Sequence, residues 1–336
     1  MMSSSGRNET LITQNNARPN NLTTGALQAT LTILIMAAVV IGNILVLLVI
    51  YRQRTRPRVR VANMFISNLA VVDLLIGLLL FPFAVATILL QRWIYGDALC
   101  QFNGAVNVIA GAASILTMAA ISIDRYRAIV SQPGSKLKPK QAWVLLTIVW
   151  TVSIVMGVLP VLGWNKYVHS SLSSMCKMSF TQDQGYILLV AVACFLIPLL
   201  IMFYCYLRVF LKVRFHKKQM QRWNNGREVE RNFQRETKTA RIVFTVLFVF
   251  AACWTPFVIV HILQAVTSLE MSRILFSCVT LIAGMHSACN PVIYTTMNKT
   301  FRNEMLQICP CVRRGFVFCF GRQDLVQPID AETSLT

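Results

Sequence analysis

Seven long apolar stretches separated by short polar loops constrain this chain more than any other feature. They cover roughly residues 25–51, 61–90, 100–130, 142–162, 185–211, 232–266 and 272–297. A run of about 20 apolar residues matches the hydrocarbon thickness of a bilayer. No water is present there to pair with backbone N–H and C=O groups, so each stretch is predicted to be a helix. Only 13% of the residues are charged, against about 25% in soluble domains. The expected fold class is an all-α membrane protein, a seven-transmembrane helix bundle.

The formal net charge is +19. On a soluble protein such an excess suggests a nucleic-acid surface. Here the cations gather in alternate loops. Arg52, Arg54, Arg56, Arg58 and Arg60 fill the first, Lys136, Lys138 and Lys140 the third, and Lys212, Arg214, Lys217, Lys218, Arg222 and Arg227 the fifth. That alternation is the positive-inside pattern, and it argues against nucleic acid. It puts the N-terminus outside and the C-terminus inside. Residues 1–24 read as a disordered extracellular tail rich in Ser, Asn and Thr. No basic segment followed by an apolar one precedes the first span, so no cleavable signal peptide is expected. Asn8 and Asn21 open N-x-[ST] triplets that suit glycosylation of an external tail.

Residues 25–297 form the membrane domain. Residues 298–309 are predicted to be an amphipathic helix on the membrane surface, with Phe301, Met305 and Ile308 on one face and charges on the other. Cys309 and Cys311 follow it at the interface, where palmitoylated cysteines occur. Residues 310–336 are a polar cytoplasmic tail. Loop five is short enough for spans five and six to continue as helices beyond the bilayer.

Particular residues stand out against this apolar background. Asp73 is an ionisable group deep in span two, and such groups are rare and functional by default. Asp124-Arg125-Tyr126 closes span three, where an adjacent acid and base sit at the water interface and avoid the cost of the hydrocarbon. Pro82 is expected to kink span two, and Pro256 removes a backbone hydrogen bond from span six. Cys194, Cys205, Cys253, Cys278 and Cys289 lie inside spans and are expected to be free core thiols.

In order along the chain come Gly42-Asn43, Leu69-Ala70-Val71-Val72-Asp73, Asp124-Arg125-Tyr126, Trp150, Pro198 with Tyr206, Cys253-Trp254-Thr255-Pro256 and Asn290-Pro291-Val292-Ile293-Tyr294. Each is weak alone. Together they resemble the rhodopsin-like (class A) G-protein-coupled receptors over about residues 25–311. The resemblance implies a plasma-membrane receptor that passes ligand binding on to a heterotrimeric G protein. Arrestin and a receptor kinase would be further partners, membrane lipids would surround it, and it would be no enzyme. By the same resemblance Arg125 and Glu236 form a cytoplasmic latch, Trp254 senses the ligand above the Pro256 kink, and Tyr206, Asn290, Pro291 and Tyr294 move with activation. A disulfide between Cys100 and Cys176 would tie the second external loop to span three, in an oxidising compartment where such a bond persists. Asp73, Ser114, Ser287 and Asn290 would offer a sodium ion the oxygen ligands that hard cations require. His286 departs from the family here, standing where many members have Asn.

The family's ligand pocket maps onto Asn103, Asn107, Val108, Gly111, Val190, Cys194, Trp254, Phe257, Val258, His261, Gln264 and Thr280. This lining is mostly uncharged and suits a small molecule or a lipid. Aminergic receptors have Asp where Asn107 stands, so a simple monoamine is not expected. Residues 290–305 look like the visual opsin stretch, yet Gly284 replaces the retinal-binding Lys. A Schiff base needs an amine, so no covalent retinal is expected at that position. A non-covalent retinal binder or degenerate opsin is the alternative. A transporter would favour an internal repeat or charged residues along a path, and neither is visible. An enzyme with a metal centre would need clustered ligands, and the four histidines are scattered.

Overall fold

The computed structural model describes residues 22–53, 60–131, 135–169, 174–179, 183–220, 227–266 and 272–308. Seven helices are long and apolar enough to cross a membrane. They are α1 Leu22–Arg52, α2 Arg60–Leu90, α3 Gly96–Ile129, α4 Pro139–Val158, α5 from Gln184 to Met220, α6 Arg227–Val266 and α7 Arg273–Met297. A short α8, Lys299–Ile308, follows. Asn8, Asn21, Cys309 and Cys311 lie outside the described residues.

The bundle is inverted relative to a soluble protein. Leu34, Phe203, Phe248 and Val292 are each at least 60% exposed, while Asn43, Asp73, Asn103, Ser114 and Ser287 are at most 1% exposed. Lipid solvates apolar side chains as well as the core does, so polar groups and close helix contacts hold the bundle together. Trp150 Nε1 on α4 donates to Asn68 Oδ1 on α2 at 2.8 Å. Asn68 Nδ2 in turn donates to Thr117 Oγ1 on α3 at 2.8 Å. Asn43 Nδ2 on α1 donates to the Ser287 carbonyl of α7 at 3.1 Å. One turn away, a Cβ on Gly42 would come within 2.8 Å of the Pro291 ring, so only glycine lets α1 and α7 approach this closely.

Two prolines act through the turn before them. In α2 the segment Ile76–Leu80 widens into a π-helical turn, with the Phe81 N–H donating to Ile76 O. In α5 the segment Ala191–Leu196 does the same ahead of Pro198, with the Ile197 N–H donating to Val192 O. The expected kink at Pro82 is thus a wide turn just N-terminal to it, which re-pairs groups that the ring would leave open. α4 ends at Val158, short of the expected 162, and a turn carries the chain past Pro160.

The all-α expectation needs one addition. The loop between α4 and α5 holds a two-stranded antiparallel hairpin, β1 Tyr167–His169 and β2 Cys176–Met178. Cys194 and Cys205 are buried free thiols, but Cys278 is exposed on the outside of α7 rather than in the core. In α8, Phe301 is buried and Met305 and Ile308 pack on the core beside it, while Arg302 is also buried, against the expected charged outer face.

Trp150→Phe keeps an aromatic side chain, though a smaller one, and removes the donor to Asn68. It should lower the stability of the purified protein by about 1 kcal/mol, the scale of interhelical hydrogen bonds in membranes. Reversible unfolding in mixed micelles measures this, and an unchanged midpoint would show that the three-helix tie carries no stability.

Candidate functional site

A cavity of about 200 Å³ lies in the outer half of the bundle. Asn107, Val108, Gly111, Val190, Cys194, Trp254, Phe257 and Thr280 all line it, as the sequence mapping placed them. Asn103 does not line it, and Val258 lines the groove between α5 and α6 instead. The side chains of His261 and Gln264 lie outside the described residues.

Asn103 has another task. Its Oδ1 accepts from the Cys176 backbone N–H at 3.2 Å, beside the Cys100–Cys176 disulfide. Gln101 on the same helix acts like a strand edge. Its Nε2 donates to Tyr167 O at 2.8 Å, and its Oε1 accepts from Tyr167 N at 3.2 Å. The Tyr167 ring lies against Gly104, and its hydroxyl donates to the Gly157 carbonyl at 2.9 Å. Burial pushes that phenol above its ordinary range, so it stays a donor. The hairpin is thus clamped to α3 as a lid, and Met175, Cys176, Lys177 and Met178 form the cavity roof.

Lys177 is the charged lining residue among those that sequence reasoning missed. Its Nζ sits 4.6 Å from the centroid of the Phe276 ring. Burial lowers the ammonium's pKa from its ordinary value. The available signal was its place directly after Cys176: once that cysteine is tied to α3, the next residue cannot be far from the cavity mouth. Gly284 also lines the cavity, and a Cβ there would stand 3.1 Å from the Phe81 ring.

At the cavity floor Trp254 packs against Phe250, Phe257 and His286, with centroids 5.7, 5.5 and 5.7 Å away. Its Nε1 is buried without a hydrogen-bond partner. Below it lies a polar cluster. Asn290 Nδ2 donates to Asp73 Oδ2 at 2.8 Å, while Asp73 Oδ1 and Ser114 Oγ have no partner. His286 Nδ1 faces the Ala283 carbonyl and so carries the ring proton, leaving Nε2 to accept from Ser287 Oγ at 3.1 Å. Carboxylate and hydroxyl oxygens are the donors that a hard cation takes.

At the end of the bundle away from the cavity Arg125 is shared between two acids. Its Nε donates to Asp124 Oδ2 at 3.1 Å and a second nitrogen reaches the same oxygen. Its NH1 donates to Glu236 Oε2 on α6 at 3.0 Å. Lys136, in the loop after α3, supplies a second cation to Glu236 at 2.5 Å, a contact that sequence reasoning did not assign. The Tyr126 ring faces Tyr204 of α5 at 5.9 Å. Tyr206 packs on Phe244 at 5.7 Å, and Tyr294 on Phe301 at 5.9 Å. Pro256 and Pro291 lie inside α6 and α7. The arrangement links an outer cavity, through Trp254 and the Asp73 cluster, to an ion pair between α3 and α6.

Residues 42–294 match the family described as 7 transmembrane receptor (rhodopsin family). The melanopsin of Podarcis siculus is 30% identical over 81% of the chain and 59% of its own length. The 5-hydroxytryptamine receptor 4 of Cavia porcellus is 28% identical over 81% of the chain and 76% of its own. The crystal structure of squid rhodopsin superposes with a TM-score of 0.78 at 26% identity, over 96% of this chain and 95% of that one. The chain thus spans less than two thirds of the melanopsin's length.

Gly104→Ala tests the lid clamp. A Cβ there overlaps the Tyr167 ring, and such overpacking costs about 1–3 kcal/mol. The thermal midpoint should fall accordingly, and a wild-type midpoint would show that the hairpin does not bear on α3.

Proposed function

Because the chain belongs to the rhodopsin family of seven-transmembrane receptors, we propose that it is a plasma-membrane receptor that couples ligand occupation of its outer cavity to activation of a heterotrimeric G protein. The observation that carries this reading is the Arg125–Glu236 bond between α3 and α6, at the far end of the bundle from the cavity. The basic loops support a cytoplasmic face at that end. A ligand that moves Trp254 biases the α6 segment around Pro256, and outward motion of α6 must break the pair. Arrestin and a receptor kinase would act on the same face. Asn8 and Asn21 would be glycosylated, and Cys309 and Cys311 palmitoylated.

Asp73 and Ser114, with Ser287 and Asn290, are the residues that would hold a sodium ion. Their unpartnered oxygens support that assignment. When bound, the ion supplies the positive charge that the buried Asp73 otherwise lacks. Asp73, Ser114 and the α7 residues then tie three helices together under Trp254.

The cavity chemistry bears on the ligand. No carboxylate is among its described lining residues, and Lys177 is its cation, so a ligand ammonium meets like charge. The 5-hydroxytryptamine receptor's amine is therefore not carried over to this chain. Gly284, set against Phe81, offers no amine for a Schiff base.

Arg125→Ala should abolish ligand-independent nucleotide exchange on purified G protein. Glu236→Gln should raise it. The Arg125–Glu236 pair is partly exposed and worth about 1 kcal/mol, so the active fraction should rise about fivefold. Equal exchange by wild type and both variants would sink the switch. For the cation site, replacing choline chloride by sodium chloride at constant ionic strength should raise the wild-type melting point by mass action. Asp73→Asn should abolish that shift, and an undiminished shift in the variant would place the ion elsewhere.

A further inference from the structure

Lys177 stands under the lid of a cavity whose walls are otherwise apolar or neutral. Its ammonium offers three donors and no acceptor. Among the described residues its one compensating contact is the face of Phe276 at 4.6 Å, and no carboxylate forms an ion pair with it. At the floor the Trp254 side chain lines the cavity, and its Nε1 is buried without a partner. An indole can only donate. A half-buried cation thus stands over a slot whose other walls carry no charge. An anionic head group is the chemistry that would pair with it.

We propose that the outer cavity binds an amphipathic anion, its carboxylate or phosphate head on Lys177 and its apolar body against Phe81, Val108, Trp254 and Phe257. That body would press on the Trp254 ring, the contact through which the ligand acts on the floor. Lys177 serves as a specificity residue: it attracts an anion and rejects an ammonium of the same shape, so discrimination comes from repulsion as well as attraction. The lid carries the lysine, so the Cys100–Cys176 tie also fixes where the head group lies. This assignment rests on the receptor reading and deepens it by naming the ligand class of its cavity.

The test uses the full chain in neutral phosphatidylcholine nanodiscs with four probes of one chain length: decanoate, decyl phosphate, decanol and decylamine. Binding is read from the shift in melting temperature against probe concentration, with no G protein present. Decanoate or decyl phosphate should stabilise the wild type, whichever is tighter naming the head group, while decanol and decylamine should not. Lys177→Gln should weaken the anion about tenfold or more, the loss expected for one charge-assisted hydrogen bond. Lys177→Arg, which keeps the charge, should retain binding and shows that the substituted hairpin still folds. Equal stabilisation by decanol, undiminished anion binding in Lys177→Gln, or no stabilisation by either anion would each overturn the proposal. The nucleotide-exchange assay on the Arg125 and Glu236 variants tests the receptor reading without any of these probes, so failure of the one is distinguishable from failure of the other.

Discussion

Backbone polar groups in hydrocarbon must find partners within the protein, and everything else in this structure follows from that. Each span becomes a helix because a helix satisfies its own N–H and C=O groups. The same demand explains how α2 and α5 accept a proline. The turns Ile76–Leu80 and Ala191–Leu196 widen by one residue, and the backbone is re-paired ahead of Pro82 and Pro198. The widened turn of α2 brings Ile76 and Leu80 to the outer cavity, so a repair of the backbone also shapes the site.

Once the helices exist, the bundle is assembled by contacts that lipid cannot imitate. Apolar packing between spans gains little, because the tails outside are as apolar as the core. The specific ties are polar or steric. Trp150, Asn68 and Thr117 join three helices, Asn43 reaches the α7 backbone, and Gly42 admits Pro291. The Asn43 tie ends on Ser287, a member of the Asp73 cluster. Asn68 uses both of its amide atoms, whereas Asp73 Oδ1, Ser114 Oγ and Trp254 Nε1, which lie at and below the cavity floor, have no partner. A cluster with unmet hydrogen-bonding capacity is able to change partners, which a saturated one is not.

Many residues of the proposed switch stand out in the sequence because they are chemically conspicuous. Asp73 is a buried acid in an apolar run, and Asp124-Arg125-Tyr126 ends a span with charges. Lys136 was not legible. It is one of several lysines in a basic loop, and nothing in the sequence says which one turns back onto Glu236. Asn103 reads as a pocket polar group by its spacing, but the lid captures it through Cys176. Lys177 reads as an ordinary loop cation until the hairpin folds over α3 and carries it inward. Asn103, Lys136 and Lys177 depend on where the loops return, whereas Val258, on α6, depends on which face of that helix meets α5.

The seven spans, their alternation across the bilayer and the residues at their inner ends can be read from the chain alone, because hydrocarbon imposes a length and a polarity that a one-dimensional pattern records. The roof of the cavity, the sharing of Arg125 and Glu236 with their neighbours, and the charge a ligand would meet exist only once the bundle has folded. They depend on contacts between segments far apart in the chain, such as Gln101 with Tyr167, Cys100 with Cys176 and Arg125 with Glu236. Local propensity has no means of encoding which of many polar loop residues such a contact selects.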